Sequence, residues 1–274
     1  MRAVSLHPDV IVVTSALLQL NCVIVRGGAS ARDGGGEAGE SFVIDSPVLP
    51  HELDALAALI EQAGFPAPSG LLATHGDWDH LLGRLAFPGL ALGCAESTAE
   101  RLRGSPGEVQ RELRAFDEEL LIERPRPLAL GAVQALPVPG RCELGERELE
   151  LHAAAGHTPD GMAVLVPWAR VLVAGDYLSQ AEIPTLNDGG EPDAYLATLE
   201  LLRDLLSCVE HVVPGHGPVL DRDRALALLD EDAHYLQALT AQGLAAELPA
   251  GRRGAAQRQL HAQNAGAIVD AGGR

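Results

Sequence analysis

The stretch from Thr74 to His80, THGDWDH, sets two histidines and two aspartates within six positions, directly after the apolar run Leu71, Leu72, Ala73. At the end of a strand such a turn presents several nitrogen and oxygen donors together, which is what a hard or borderline divalent cation requires. One His or Asp there would be ordinary turn or capping chemistry. Three further segments repeat the layout of an apolar run, a glycine and a donor: AAAGHT ending at His157 and Thr158, VLVAGD ending at Asp176, and HVVPGH ending at His216. Strand ends along one sheet edge converge in space, and a glycine beside a donor lets the backbone turn sharply. Four such clusters point to a metal centre rather than to unrelated turns.

The elements that must place these donors are read from periodicity. Residues 20–25 and 41–44 read as neighbouring strands joined by a flexible glycine-rich loop, 26–40. Leu53, Leu56, Ala57 and Ile60 recur at helical spacing between Pro50 and Gly64 and predict an amphipathic helix. Strand-length apolar runs follow at 70–74, 90–94, 132–138, 148–153, 162–166, 171–174 and 211–214. Helical patterns occupy 97–103, 108–119, 192–207 and 222–248. This order predicts an α/β protein with two mixed sheets between helical layers. It is read as one unit over 1–248, with a core at about 10–219 and a C-terminal helical part at 220–248. The segment 249–274 is expected to be a polar, partly flexible tail with at most one short helix.

The chain has 274 residues and a formal net charge of -18, and all 20 basic residues are arginine. Without lysine there is no Walker A phosphate loop, Schiff-base lysine or serine-lysine dyad. The acidity disfavours nucleic acid and anionic membranes as partners and leaves a small-molecule substrate. Cys22, Cys94, Cys142 and Cys208 stand singly, which fits reduced thiols in the cytoplasm. The apolar stretch 10–25 is broken by Thr14, Ser15, Gln19 and Asn21, and it follows Asp9 rather than a basic segment. It therefore reads neither as a membrane span nor as a signal peptide. Nothing in the composition specifies an oligomeric state.

Taken in order, these motifs resemble those of the metallo-β-lactamase superfamily: H-x-H-x-D-H, a downstream GH, then GD, then PGHG. The match runs from about Leu18 to Val219, and NCVIV with VIDSP resembles the usual opening strands. The resemblance implies an αββα sandwich with metals at one edge of its two sheets. It assigns His75, Asp77 and His157 to a first metal, Asp79, His80 and His216 to a second, and Asp176 to a bridge between them. The implied chemistry is hydrolysis by a metal-held hydroxide, with Asp79 as the catalytic carboxylate that orients it and relays a proton. Aspartate at 176, where the commonest zinc β-lactamases carry cysteine, looks more like the glyoxalase II and lactonase side, whose substrates are thioesters, esters or lactones.

One position departs from the family pattern: its second histidine is Asp77 here. Two divalent ions, three aspartates and one hydroxide make a formally neutral site, which weakens Lewis acidity and raises the pKa of bound water. Zinc stays the expected identity of the two divalent ions, and the extra carboxylate also admits Mn or Fe. An acidic residue there resembles the flavo-diiron branch, although no flavodoxin-like stretch follows residue 219. Three readings stay open: a binuclear hydrolase, an iron-dependent oxidoreductase acting on dioxygen, nitric oxide or a persulfide, and a metal-depleted binding protein in which Asp77 does not ligate.

Other assignments have two readings each. Asp45 in VIDSP either supports the metal loop or makes an ordinary turn. Thr158 either hydrogen-bonds a ligand or caps a turn, and Tyr177 either faces a substrate pocket or packs in the core. Trp78 is expected to fix the metal loop by packing. His261 is a candidate to reach the site from the tail, Arg84 and Arg141 are candidates for a basic substrate pocket, and the helix expected at 222–248 is a candidate lid.

Overall fold

The computed structural model describes residues 1–28, 39–187 and 189–272. The expected glycine-rich loop falls largely at 29–38, outside the described residues. The elements run β1 (Arg2–His7), β2 (Val10–Thr14), β3 (Asn21–Arg26), β4 (Ser41–Ile44), α1 (Pro50–Gln62), β5 (Gly70–Leu72), α2 (Gly83–Ala86), β6 (Leu92–Ala95), α3 (Glu96–Gly104), α4 (Glu108–Leu120) and β7 (Val133–Leu136). They continue with β8 (Gly140–Leu144), β9 (Arg147–Ala153), β10 (Met162–Val166), β11 (Val171–Gly175), α5 (Pro192–Leu206), β12 (His211–Pro214), β13 (Leu220–Asp221), α6 (Arg222–Gln242) and α7 (Ala255–Gly272).

The first seven strands form one sheet in sequence order, and the second sheet has the order β13-β12-β11-β10-β9-β8. Strands β1 to β4 pair antiparallel and β4 to β7 parallel, so the first sheet is mixed. In the second sheet the β11–β12 pair is parallel.

Strand alternation sorts the apolar residues into layers. Val10, Val12, Val23 and Val25 of the first sheet meet Leu149, Leu151, Val164, Val171 and Val173 of the second. The alternate residues Ile11, Val13, Cys22 and Ile24 face outward onto Leu53, Leu56 and Ile60 of α1. On the far side, Leu199, Leu202 and Leu206 of α5 and Leu228, Leu229, Leu236 and Leu239 of α6 cover the second sheet. The result is the αββα sandwich expected from the sequence. Each fully buried aliphatic side chain contributes about 1.5–3 kcal/mol, so three apolar clusters supply most of the stabilisation of the layers.

Helix starts follow local chemistry. Pro50 and Pro192 open α1 and α5, where a missing N–H costs nothing, and the Asp221 side chain caps α6 by accepting from the Arg224 N–H at 2.8 Å. Among the described residues no helix is long and apolar enough to cross a membrane.

Three expectations are corrected. Strands β1, β2, β8 and β13 lie outside the expected elements; β1 is largely exposed, and β13 has only two residues. Helix α6 is a packed member of the outer layer rather than a lid. The tail holds the 18-residue helix α7. Its buried face includes Gln257, His261 and Asn264, spaced at helical intervals, so a hydrophobic pattern could not reveal it.

Candidate metal centre

The donor residues lie on connections at one end of the sandwich: after β5 (74–80), between β9 and β10 (154–161), after β11 (176) and after β12 (216). The sheets are tied together there. Leu20 bridges His216, and the Asn21 side-chain amide at the start of β3 donates to the carbonyls of Pro214 and Gly217, each at 2.8 Å. Gly215 cannot be larger, since a Cβ there would collide with Asp176 Oδ1 and press on His80.

All the expected ligands converge. His75, His157 and Asp176 form one group and Asp79, His80 and His216 another, each with donor atoms within 4.8 Å of one another. Asp176 Oδ2 stands 3.4 Å from Nε2 of both His157 and His216 and 3.8 Å from that of His75, while Oδ1 is 3.2 Å from His80 Nε2. Asp79 Oδ2 is 3.4 Å from His216 Nε2 and 3.9 Å from His80 Nε2. Asp77 Oδ2 is 3.4 Å from His157 Nε2 and 3.6 Å from His75 Nε2. A tetrahedral ion with bonds of about 2.0–2.1 Å holds its ligands about 3.4 Å apart, so these separations suit a cation between the donors. The polar inventory agrees: Nε2 of His75, His80 and His157 and Oδ1 of Asp176 are buried without a hydrogen-bond partner. Buried polar atoms require partners, and divalent cations at the two groups would satisfy all four.

The other ring nitrogens are spoken for. His157 Nδ1 donates to the Thr185 carbonyl and His216 Nδ1 to the Leu18 carbonyl, both at 3.0 Å. His80 Nδ1 faces Asp45 Oδ2 at 3.0 Å. Fixing Nδ1–H leaves Nε2 as the ligating atom. Asp45 also accepts from the Thr74 N–H at 2.8 Å and from Thr74 Oγ1 at 2.9 Å. Its supporting reading is therefore the one the geometry favours. Asp45, Leu18 and Leu178 all have φ between 57° and 61°, a left-handed conformation costly for leucine, and such strain gathers at functional sites.

Electrostatically the site is built for positive charge. Burial opposes the ionised forms, yet His216, His80 and His75 hold Asp176 well below the usual carboxylate range, and His157 and His75 do the same for Asp77. Against the same burial, Asp77 and Asp176 push His157 up to about 9, and Asp176 pushes His216 up to about 10. The nearby Glu182 carboxyl is raised, first by burial and then by Asp176 and Asp79.

The remaining candidates resolve into supports. Thr158 Oγ1 donates to the Asp160 carbonyl at 3.0 Å, a turn contact. Tyr177 is buried, and its hydroxyl accepts from the His157 N–H at 3.1 Å. Trp78 packs on Phe116 with ring centroids 4.5 Å apart. His261 does not reach the centre; its Nδ1 lies 3.0 Å from the Tyr235 hydroxyl. Arg84 is buried and donates to the Ala129 carbonyl, and Arg141 pairs with Glu148 on the β8–β9 hairpin. The basic group at the centre is instead Arg101, whose Nη1 is 2.8 Å from Asp77 Oδ1 and 2.9 Å from Asp160 Oδ1. Asp160 also accepts from the Gly76 N–H and from Thr98 Oγ1. The sequence reading missed Asp160 and Arg101. The position of Asp160, three residues after His157, is a signal that could have found it.

The sequence profile of the metallo-beta-lactamase superfamily matches residues 38–216. The chain belongs to that superfamily. Its fold is similar to that of a metallo-beta-lactamase family protein from Thermus thermophilus, with TM-score 0.66 and 20% identity over 97% of this chain and 94% of that one. It is also similar to the stereoselective inverting sec-alkylsulfatase Pisa1 from Pseudomonas sp., with TM-score 0.72 and 14% identity over 98% of this chain. There it spans 50% of the longer protein. A metallo-beta-lactamase from Pontibacter korlensis matches with TM-score 0.55 and 17% identity, over 84% of this chain and 98% of that one. No curated protein matches.

Proposed function

We propose that the chain is a binuclear metal-dependent hydrolase acting on an ester, thioester, lactone or related carbonyl bond of a small molecule. The observation that carries this reading is Asp176 Oδ2, 3.4 Å from histidines of both triads and so placed to serve two cations. His75, Asp77 and His157 would hold one ion and Asp79, His80 and His216 the other. Bound there, divalent ions would supply a water acidic enough to act as nucleophile near neutral pH and would polarise a carbonyl. The chain's own part is to fix seven donors, to keep Nε2 of His75, His80 and His157 free of competing hydrogen bonds, and to offer Asp79 for proton relay. Cys22 and Cys94 are no alternative nucleophiles: both are buried in the first-sheet core, and burial pushes their thiols up.

Zinc is the first assignment, and the third carboxylate also admits Mn or Fe. That carboxylate, Asp77 with Oδ2 turned toward His75 and His157, also motivates an iron-dependent oxidoreductase as a second reading. Elemental analysis of protein purified without chelators separates them. Zinc or manganese with turnover on a panel of esters, thioesters, lactones and sulfate esters supports the hydrolase. Iron with oxygen consumption and no hydrolysis overturns it.

A further inference from the structure

Loop 179–187 touches the metal centre at three points. Ser179 Oγ donates to the His216 carbonyl at 2.8 Å, the Thr185 carbonyl accepts from His157 Nδ1 at 3.0 Å, and Asn187 Nδ2 donates to Asp77 Oδ2 at 3.0 Å. From behind, the loop is gripped by the C-terminal segment, which lies outside the stretch matched by the superfamily profile. Arg252 donates to the carbonyls of Ser179 and Glu182. Gln257 accepts from the Ile183 N–H and donates to the Ala181 carbonyl, both at 2.9 Å. Asn264 accepts from the Leu186 N–H at 2.9 Å and donates to the Pro184 carbonyl at 2.6 Å.

Asn264 is 1% exposed. A buried amide is costly unless its hydrogen bonds are made, and an apolar residue would pack α7 onto the core without that demand. Its oxygen is spent on Leu186 and its NH2 on Pro184 and, at 3.3 Å, on the Tyr235 hydroxyl, and Pro184 and Leu186 flank Thr185. The contact therefore holds Thr185 in place, and its carbonyl and hydroxyl, each 3.0 Å from His157 Nδ1, orient the His157 ring. His80 and His216, by contrast, take their orientation from Asp45 and Leu18, which Asn264 does not touch.

We propose that Asn264 is a positioning residue for the first metal position, acting through Thr185 on His157. This rests on the metal-centre reading above. Outer contacts of this kind change metal affinity by about 10- to 100-fold, and the loss should fall on one ion of the pair.

The test is titration of metal-free protein with zinc against a chromophoric chelator for wild type, Asn264→Ala, Asn264→Asp, His157→Ala and the Asn264→Ala/His157→Ala double variant. Asn264→Asp keeps the acceptor for Leu186 and loses the donor to Pro184, so it reports the effect should the alanine variant fail to fold. Gln263→Ala, exposed on the same helix, is the control. The expected result is about a tenfold or greater loss for one zinc in Asn264→Ala, a smaller loss in Asn264→Asp, and none in Gln263→Ala. The double variant should lose no more than His157→Ala alone. Unchanged affinities in both Asn264 variants, equal losses for both ions, or additive losses in the double variant would overturn the proposal. Wild-type protein that binds no zinc, or His157→Ala protein that keeps both ions, would refute the metal-centre reading itself and the proposal with it.

Discussion

Arg101 Nη1 lies 2.8 Å from Asp77 Oδ1 and 2.9 Å from Asp160 Oδ1, so one guanidinium joins α3 to the metal loop and to the turn after His157. It draws on one oxygen of Asp77 and leaves the other toward His75 and His157. Asp77 stands where the family pattern has histidine, and part of its negative charge is answered within the protein.

Removing that cation should show in stability. Arg101→Gln is expected to cost the metal-free protein about 1.5–3 kcal/mol, the range for hydrogen bonds to charged groups. Added zinc should recover more of the loss than in wild type, because a bound ion would take over the neutralisation of Asp77. Thermal unfolding with and without zinc checks this; an unchanged zinc-induced rise in Tm would speak against Asp77 as a ligand.

Asp45 offers a cleaner substitution. Asparagine tolerates the left-handed backbone at this position, so Asp45→Asn changes charge and hydrogen bonding while sparing the turn. One oxygen becomes an NH2 group that cannot accept from Thr74 or His80. Metal affinity at the position served by His80 should fall about 10- to 100-fold in a chelator competition, and the position served by His75 should weaken too, because Thr74 Oγ1 lies 3.2 Å from Nδ1 of both rings.

Protonation of the ligands sets a pH dependence. In metal-free protein the carboxylates raise His157 to about 9 and His216 to about 10, above the usual 6.5. The stability these charged rings add is therefore fully present below about pH 6.5 and is lost as pH rises through 9 to 10. Ligation requires neutral rings, so the gap in Tm between zinc-loaded and metal-free protein should widen from pH 6.5 upward. The metal-free protein should stay folded throughout, given its three apolar clusters. A gap that narrows with pH would contradict the assignment of these histidines as ligands.

Glu52 has the opposite sign. It is fully buried, and Ser15 Oγ and the Ala16 N–H donate to it at 2.5 and 2.9 Å. Burial alone would raise its pKa, but these donors bring it below the usual 4.5. Its contribution is present above pH 4.5 and lost as pH falls through the lowered value. Glu52→Gln should therefore cost about 1.5–3 kcal/mol near neutral pH, with the difference from wild type shrinking under acid conditions. Urea unfolding at several pH values measures it. The loop held by Glu52 runs on to Leu18, whose carbonyl orients His216, so the same variant should weaken metal binding modestly.

The layers and the convergence of the candidate donors are legible because they rest on local signals. Short apolar runs such as 41–44, 162–166 and 171–174 mark strands, and a glycine beside a donor after a strand marks a site. Arg101, Asn187 and Thr185 were not legible, since each acts on a ligand far away in sequence through a contact that only the folded chain creates. Helix α7 was hidden for a related reason. Its buried Gln257, His261 and Asn264 are polar and satisfied by hydrogen bonds, so they leave no apolar stripe.

The central claim is a two-ion centre that includes Asp77, and metal content per chain tests it most directly. Elemental analysis of protein purified without chelators, beside Asp77→Ala and His157→Ala, should find two divalent ions in wild type and a fall toward one in both variants. One ion or none in wild type, indifferent to both substitutions, would contradict the account.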